Sequence, residues 1–176
     1  VHYISVLTGN PSFIKIQINF LEKIMFVTQT KELLPLIKLN QFTKEDQIYF
    51  KEFLDFYKPI KLEVYDLKEI VAEKIRSLLT RKAIKSRDAI DLLFIYNKFR
   101  IKPQDLLKET KEKLLFSITA YDKYKNNLLL SRDKLQTLEF QYSEVRPLVI
   151  KPFNKEDFDN YVKEIKPLLI ALAGNI

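Results

Sequence analysis

Apolar and polar residues alternate along the first part of the chain, which is the period-two pattern of β-strands. Between residues 13 and 21 the even positions are apolar and the odd positions are mostly polar, so one face of a strand is predicted to pack on a core. A looser alternation over residues 2–7, followed by a break at residues 9–11, predicts an earlier strand and a hairpin connection. Further strands are predicted at residues 25–28 and 60–65.

Helical spacing of the apolar residues follows from Asp66 onward, and one earlier segment shares it. Residues that favour helix N-caps mark the beginnings of four of these segments: Thr43, Asp66, Ser86 and Asn154. The predicted helical ranges are 43–57, 66–81, 86–99, 103–120, 122–138 and 154–173, and the range 122–138 is expected to hold one helix or two. Residues 140–150 are expected to be irregular.

Strands first and helices afterwards is the element order of an α+β fold. We predict a short antiparallel sheet with one inserted helix over residues 1–65, and a helical bundle over residues 66–176. The length of 176 residues suits one domain. The two parts are therefore expected to form one compact unit.

Rare and missing residue types exclude several kinds of site. The chain has no cysteine, which excludes disulfides, thiolate nucleophiles and cysteine-ligated metals. Its single histidine, His2, argues against histidine-ligated zinc and Ser-His-Asp triads, and its two glycines are too few for a Walker or dinucleotide-binding loop. No membrane span is indicated, and the lack of cysteine favours a cytoplasmic location.

A lysine interrupts the apolar stripe of the predicted helix 66–81. Lys74 lies three residues after Val71 and four after Ile70, so its side chain is predicted on the face that packs on the core. A buried ammonium is costly unless it is paired or reaches a polar cleft. The alternative is that only the stem is buried and the amine reaches water.

Two aspartates on the next predicted helix raise the same question of a buried charge, which is negative here. Asp88 and Asp91 are three residues apart and share a helix face. Asp91 lies in a run that is apolar nearly all round, so we expect it to be buried with a cation, and the candidates are Lys74, Arg87 or a metal. An ion pair without function is the alternative for Asp91, and a favourable interaction with the helix N-terminus is the alternative for Asp88.

The turn between these two helices is strongly basic. Six Lys and Arg residues, and no acidic residue, occur from Lys74 to Arg87. Fixed cations beside a helix N-terminus suit phosphate groups. The candidate phosphate ligands are Arg76, Arg81, Lys85 and Arg87. The alternative is a basic loop that is only solvated.

This pattern resembles a signature of the AbiEii/AbiGii-type nucleotidyltransferase-like proteins, the toxins of type IV toxin–antitoxin systems. The residues that carry the resemblance are Glu73-Lys74, Arg81, Lys85-x-Arg87-Asp88 and Asp91-Leu92. The extended segment 14–20 and the lead-in 64–70 are also similar. The resemblance covers residues 12–96 and is closest over residues 64–93.

The resemblance implies a DNA polymerase β-like nucleotidyltransferase fold, with residues 1–65 as a remnant of its sheet. It implies Mg²⁺ and a nucleoside triphosphate, transfer of a nucleotide to an acceptor such as tRNA or another RNA, and an antitoxin protein as partner. At the matching positions, Lys74 would contact nucleotide phosphate, and Asp88 and Asp91 would orient that lysine or support the catalytic cluster. The remaining basic positions would contact phosphate or acceptor: Arg81, Lys85 and Arg87.

The chain departs from the family pattern at the metal site. The fold's S-x-D-x-D strand is not found, no Asp-x-Asp precedes Lys74, and Gln17 and Asn19 occupy a strand that often carries a third acid. Amides bind Mg²⁺ less well than carboxylates. We therefore expect no tight Mg²⁺ binding by this chain and no transferase activity from it alone. The start at Val1 favours a missing N-terminal portion over a degenerate family member.

The net charge of +7, from 30 basic and 23 acidic residues, supports an alternative from another functional class. A non-catalytic nucleic-acid-binding module that uses the basic turn would bind with a steep inverse dependence on salt. A protein-interaction role for the helical tail is a third hypothesis.

Overall fold

The structure is a computed structural model, and it describes most of the chain. The described residues are 2–4, 9–13, 22–34, 38–55, 59–137, 139–149 and 153–174. Within them, two short antiparallel sheets precede a bundle of helices. The α+β class, with a small sheet first and helices afterwards, is therefore confirmed.

The first sheet is a hairpin of two short strands. β1 (His2–Ile4) pairs antiparallel with β2 (Pro11–Phe13), and His2 lies opposite Phe13. Gly9, in the connection, has a φ of +67°, a left-handed conformation that glycine adopts at little cost. The predicted hairpin is confirmed, whereas nearly all of the predicted strand 13–21 lies outside the described residues.

The second sheet joins two segments that are distant in sequence. β3 (Gln29–Leu33) pairs antiparallel with β4 (Ile60–Val64), so that Gln29 lies opposite Val64. The prediction of a strand at residues 60–65 is confirmed. The strand predicted at residues 25–28 is wrong, because the backbone N–H groups of Met25 and Phe26 donate to the carboxylate of Glu69 and not to a neighbouring strand.

The helix predicted after Thr43 begins there but is shorter than expected. Thr43 caps α1 (Lys44–Tyr49): its hydroxyl accepts from the Asp46 N–H at 3.1 Å, and the Asp46 carboxylate accepts from the Thr43 N–H at 3.0 Å. The α1 helix ends at Tyr49, and a separate short helix, α2 (Lys51–Asp55), follows. The single predicted helix 43–57 is thus two short helices.

The remaining elements form the helical bundle. They are α3 (Leu67–Thr80), α4 (Ser86–Phe99), α5 (Leu107–Ala120), α6 (Asp122–Thr137), α7 (Tyr142–Val145) and α8 (Lys155–Gly174). Short 3₁₀ turns lie at residues 103–106 and 146–148. The core is built from the apolar stripes of α3, α4, α5, α6 and α8, with α3 in contact with α4, α5, α6 and α8. This central helix carries Lys74.

Two of the predicted helix caps are confirmed in the bundle and one is wrong. The Asp66 carboxylate accepts from the Lys68 N–H at 2.8 Å at the start of α3, and the Asn154 side chain accepts from the Glu156 N–H at 2.9 Å before α8. Ser86 is the first residue of α4, and Lys85 occupies the N-cap position. The Ser86 hydroxyl instead donates to Glu144 at 2.6 Å, because α7 packs against α4.

Among the helices that the structure describes, none combines the length and the apolar character needed to cross a membrane. The division of the chain at residues 65 and 66 stays a prediction.

Candidate phosphate-binding site

Lys74 lies between the helices α3 and α4. The buried face of α3 packs Val71, Ile75 and Leu78 in the core, which places the lysine at the edge of that face, beside α4. Its Nζ atom lies 3.0 Å from Asp88 Oδ1 and 2.5 Å from Asp91 Oδ2. The side chain is 28% exposed. The amine is therefore paired between the helices, and it does not simply extend into water.

Asp88 is the buried acid of this cluster. Its side chain is 1% exposed, and each of its two oxygens contacts a cation: Oδ1 accepts from Lys74, and Oδ2 accepts from the Arg81 guanidinium. The expectation that Asp91 is buried is wrong, since its side chain is 47% exposed. Asp88 lies in the first turn of α4, close to the turn from α3, whereas Asp91 lies one turn further along the helix at the solvent edge.

The two carboxylates keep the Lys74 amine charged. Burial lowers the pKa of an amine, but the hydrogen bonds to Asp91 and Asp88 outweigh burial and raise the pKa of Lys74 above its ordinary value of 10.5. At neutral pH the site therefore presents a fixed ammonium, which suits electrostatic binding of phosphate and does not suit proton abstraction.

The other predicted phosphate ligands do not all lie in the cluster of Lys74. Arg81 joins the cluster through Asp88 and is 40% exposed. Lys85 and Arg87 are exposed around the start of α4. Arg76 lies two residues from Lys74, on a different face of α3. Its guanidinium donates to Glu73 and to Thr80, and lies 5.1 Å from the ring centroid of Tyr124.

A second ionic cluster, which was not predicted, lies between α3 and α5. Lys113 is 1% exposed, and its ammonium donates to Glu22 Oε1 at 2.9 Å, to the Lys23 carbonyl at 2.9 Å and to the buried Glu69. Glu73 lies 3.5 Å from the same nitrogen. We call Lys113, Glu22, Glu69 and Glu73 the Lys113 cluster.

The Lys113 cluster attaches the segment 22–26 to the helical bundle. One oxygen of Glu69 accepts from Lys113, and the other accepts from the Met25 N–H at 2.8 Å and the Phe26 N–H at 3.0 Å. Lys113 lies on the buried face of its helix, but Glu109 and Thr110, one turn before it, are polar, so the sequence does not mark it as it marks Lys74. The partner Glu69 is 44 residues away in the sequence, so no local pattern connects the two residues.

Glu22 provides a test of this cluster by pH. Burial raises the pKa of a carboxyl group, but the hydrogen bonds from Lys113 and Tyr65 outweigh burial and hold the pKa of Glu22 below its ordinary value of 4.5. The stability that Glu22 contributes is complete above that ordinary value, and it is lost as the pH falls through the lower pKa of the folded state.

Replacement of Glu22 by glutamine is expected to reduce the acid sensitivity of the fold. The free energy of unfolding of the wild type should fall more than that of E22Q between about pH 7 and about pH 3. Urea titrations at both pH values measure the difference. E32Q, at an exposed position of β3, is the control and should behave like the wild type. Equal acid sensitivity of E22Q and wild type would contradict the assignment.

The described residues do not fit a magnesium site. They contain no group of three or more His, Cys, Asp or Glu side chains that could hold a metal ion. Both oxygens of Asp88 and one oxygen of Asp91 already accept from Lys74 or Arg81. A divalent cation at this position would also lie beside the Lys74 ammonium, which would repel it. The cluster itself pairs two cations, Lys74 and Arg81, with two carboxylates, Asp88 and Asp91.

Comparison with known proteins identifies the family of the chain. The model of one protein family, described as "Nucleotidyl transferase AbiEii toxin, Type IV TA system", matches residues 1–171. No curated protein and no solved structure matches the chain. The family match covers nearly the whole chain, including the helices that carry Lys74, Asp88 and Asp91. The chain belongs to the AbiEii family of nucleotidyltransferase toxins of type IV toxin–antitoxin systems.

Proposed function

We propose that Lys74, Asp88, Asp91 and Arg81 form the nucleotide-phosphate site of an AbiEii-type nucleotidyltransferase, a class of enzyme expected to transfer a nucleotide from a nucleoside triphosphate to an acceptor such as tRNA. The family implies a nucleotide substrate and an antitoxin partner in general terms. The observation that carries the proposal is Lys74, whose side chain is 28% exposed and whose ammonium is paired with two carboxylates.

The number of donors on the ammonium supports a phosphate ligand. A lysine ammonium has three N–H donors, and two of those of Lys74 are directed at Asp88 and Asp91. Among the residues that the structure describes, no third acceptor contacts this nitrogen, and the proposal assigns the third N–H to a phosphate oxygen. A charge-assisted hydrogen bond of this kind is stronger than one between neutral groups.

Asp88 acts in the proposal as a positioning residue for two cations. Because it is buried and accepts from both Lys74 and Arg81, it holds their charged groups close to each other without taking part in chemistry. Because both cations are already held in position, little reorganisation of the protein is needed when a phosphate group binds. The free-energy cost of binding is therefore lower. Lys85 and Arg87 would add longer-range attraction, because both lie exposed near the same turn.

The chain alone is proposed to bind nucleotide phosphate but not to catalyse transfer. Nucleotidyl transfer in this family is expected to use Mg²⁺, and this sequence contains no Asp-x-Asp before Lys74. Incubation of the chain with Mg²⁺, labelled triphosphates and total tRNA should therefore leave the RNA unlabelled. Clear transfer of label would mean that the chain has a metal site at other residues.

The direct test of the phosphate site replaces Lys74 by methionine, which keeps the length of the side chain and removes its charge. K74M should weaken binding of ATP and GTP by roughly 10- to 100-fold, the equivalent of one charge-assisted hydrogen bond of about 1.5–3 kcal/mol. Isothermal titration calorimetry without Mg²⁺ measures this contact apart from any metal.

The control for K74M is K98M, at an exposed position near the other end of α4. K98M should bind nucleotide like the wild type. If K74M keeps wild-type affinity, or if both variants lose affinity equally, Lys74 does not bind phosphate and the proposal fails.

A further inference from the structure

The sheet formed by β3 and β4 is exposed on both of its faces. All five residues of β3 and four of the five residues of β4 are exposed. Three large apolar side chains are among them: Leu33 is 58% exposed, Ile60 is 53% exposed and Leu62 is 44% exposed. A two-stranded sheet is only marginally stable by itself in water, and clustered exposed apolar side chains mark interaction surfaces. This sheet is therefore a candidate surface for a further protein contact.

The five residues of β4 alternate strictly between apolar and charged side chains. Successive residues of a strand point to opposite faces of the sheet. Ile60, Leu62 and Val64 therefore share one face of β4, and Lys61 and Glu63 share the other. A strand that adds to β4 must bring apolar residues to the first face. On the second face it must bring charges that complement Lys61 and Glu63.

One edge of β4 is open to such a strand. Among the residues that the structure describes, β4 pairs with β3 alone, and the two strands form a separate sheet. The backbone N–H and C=O groups along an unpaired edge are a template for another strand. The charges select the incoming strand: it must place an acid opposite Lys61 and a base opposite Glu63, with an apolar residue between them. An antiparallel β4 from a second copy of the chain has this order.

The charges also select one register for the pairing of two copies of β4. When the pairing is centred on Leu62, each Leu62 lies opposite the other. Ile60 then lies opposite Val64, and Lys61 lies opposite Glu63. A shift by two residues keeps the apolar residues together but places Lys61 opposite Lys61, or Glu63 opposite Glu63, and like charges directly opposite are destabilising. A shift by one residue places apolar residues opposite charged ones. Only the register centred on Leu62 satisfies both faces.

We propose that two copies of this chain associate through the free edges of β4, antiparallel and centred on Leu62, to form a four-stranded sheet of order β3-β4-β4-β3. The arrangement has a two-fold axis at Leu62, so both copies use the same surface. The edge of β3 is less suited, because Lys31 at its centre would face Lys31 of the second copy. The surface contains no residue of the Lys74 site, and the inference does not depend on the proposed function.

The dimer is expected to be weak. Two five-residue strands bury less than the roughly 1,200 Å² of stable complexes, so we expect a dissociation constant in the micromolar range. Sedimentation velocity over a series of micromolar protein concentrations at constant salt should show a monomer that converts to a dimer. A wild type that remains a monomer up to its solubility limit would overturn the proposal.

Charge reversal tests the predicted register. K61E and E63K each place like charges opposite each other at two points of the homodimer, so each variant alone should weaken self-association roughly tenfold or more. In an equimolar mixture, every acidic residue of K61E on this face lies opposite a lysine of E63K, and dimers should return. K44E and E45K, at exposed positions of α1, are the matched controls and should dimerise like the wild type.

The mixture separates the interface from the fold of the sheet. Lys61 lies opposite Glu32 within one copy, and Glu63 accepts from the Thr30 hydroxyl at 2.5 Å, so either variant could weaken the sheet itself. Damage to the sheet would not be repaired by mixing, whereas loss of charge complementarity would be. A mixture that stays monomeric, or control variants that lose the dimer equally, would overturn the proposed register.

A cysteine at the two-fold axis gives a second test that does not depend on charge. The chain has no cysteine of its own. L62C places two thiols directly opposite each other, with Cα atoms about 4.5–5.5 Å apart, which is within the range of a disulfide. Mild oxidation followed by non-reducing electrophoresis should therefore give a covalent dimer, and reduction should reverse it.

The control for L62C is L33C, which is exposed on the same face of the sheet because Leu33 lies opposite Ile60. Three strand spacings separate the two β3 strands of the dimer, at least about 14 Å, so L33C should not form a disulfide. Equal crosslinking of both variants would indicate association through the apolar face without a fixed register. That result, or the absence of crosslinking in L62C, would overturn the proposal.

Discussion

Replacement of Lys113 by methionine is expected to lower the free energy of unfolding by about 3–5 kcal/mol, the cost of removing one partner from a buried ion pair. Lys113 is 1% exposed and Glu69 is fully buried, so K113M leaves a carboxylate in the core without its cation. The shape of the side chain is nearly kept, and the loss is therefore electrostatic. Urea unfolding followed by circular dichroism measures it.

The control for K113M is K111M, on the exposed side of the same helix, which should change stability by less than about 0.5 kcal/mol. The double variant E69Q/K113M should be more stable than the sum of the two single changes predicts, because neither buried charge then remains unpaired. If K113M unfolds like K111M, or if the two changes are additive, the buried pair does not hold the bundle together.

The element order was predictable because it depends on local patterns. The alternation at residues 60–65 and the helical spacing after Asp66 both led to the correct element type. Thr43, Asp66 and Asn154 marked helix starts correctly because a cap depends only on the next two or three residues. Ser86 does not cap α4, because its hydroxyl donates to a distant residue, Glu144.

The pairing of Lys74 with Asp88 and Asp91 was also predictable, since a buried lysine and two acids on successive helices need each other. The degree of burial of each acid was not predictable from the sequence. A run of apolar neighbours indicated that Asp91 was buried, but burial depends on which turn of α4 faces α3, and this is set by packing. The Lys113 cluster was missed for a related reason: its members come from three segments that only the tertiary structure brings together.

The two ionic clusters give α3 two different roles. On one face, Lys74 contacts α4 and its side chain is 28% exposed, and this is the charge proposed to bind phosphate. On another face, Glu69 and Glu73 contact Lys113 of α5, and this cluster also holds the segment 22–26. The buried cluster thus fixes the position of the helix that presents the exposed one. Stability and phosphate binding are expected to be separable by mutation, because different residues of α3 carry them.

Replacement of Asp88 by asparagine is expected to reduce both stability and nucleotide affinity. Asp88 is almost fully buried and accepts from two cations, so D88N should lower the free energy of unfolding by about 3 kcal/mol, the range of a charge-assisted buried contact. Lys74 and Arg81 would also lose the group that holds them together, and calorimetric affinity for ATP should fall.

A comparison of D88N with D91N tests whether the loss of stability depends on burial of the aspartate or only on its contact with Lys74. Both aspartates contact the same nitrogen, at 3.0 and 2.5 Å, but the Asp91 side chain is 47% exposed. Water replaces the lost contact at such a position, and D91N should therefore cost less than about 1 kcal/mol. Urea unfolding of D88N and D91N under the same conditions gives both values. Equal losses would mean that Asp88 is not the buried positioning residue of the site, and that the shorter contact to Asp91 matters as much for orienting Lys74.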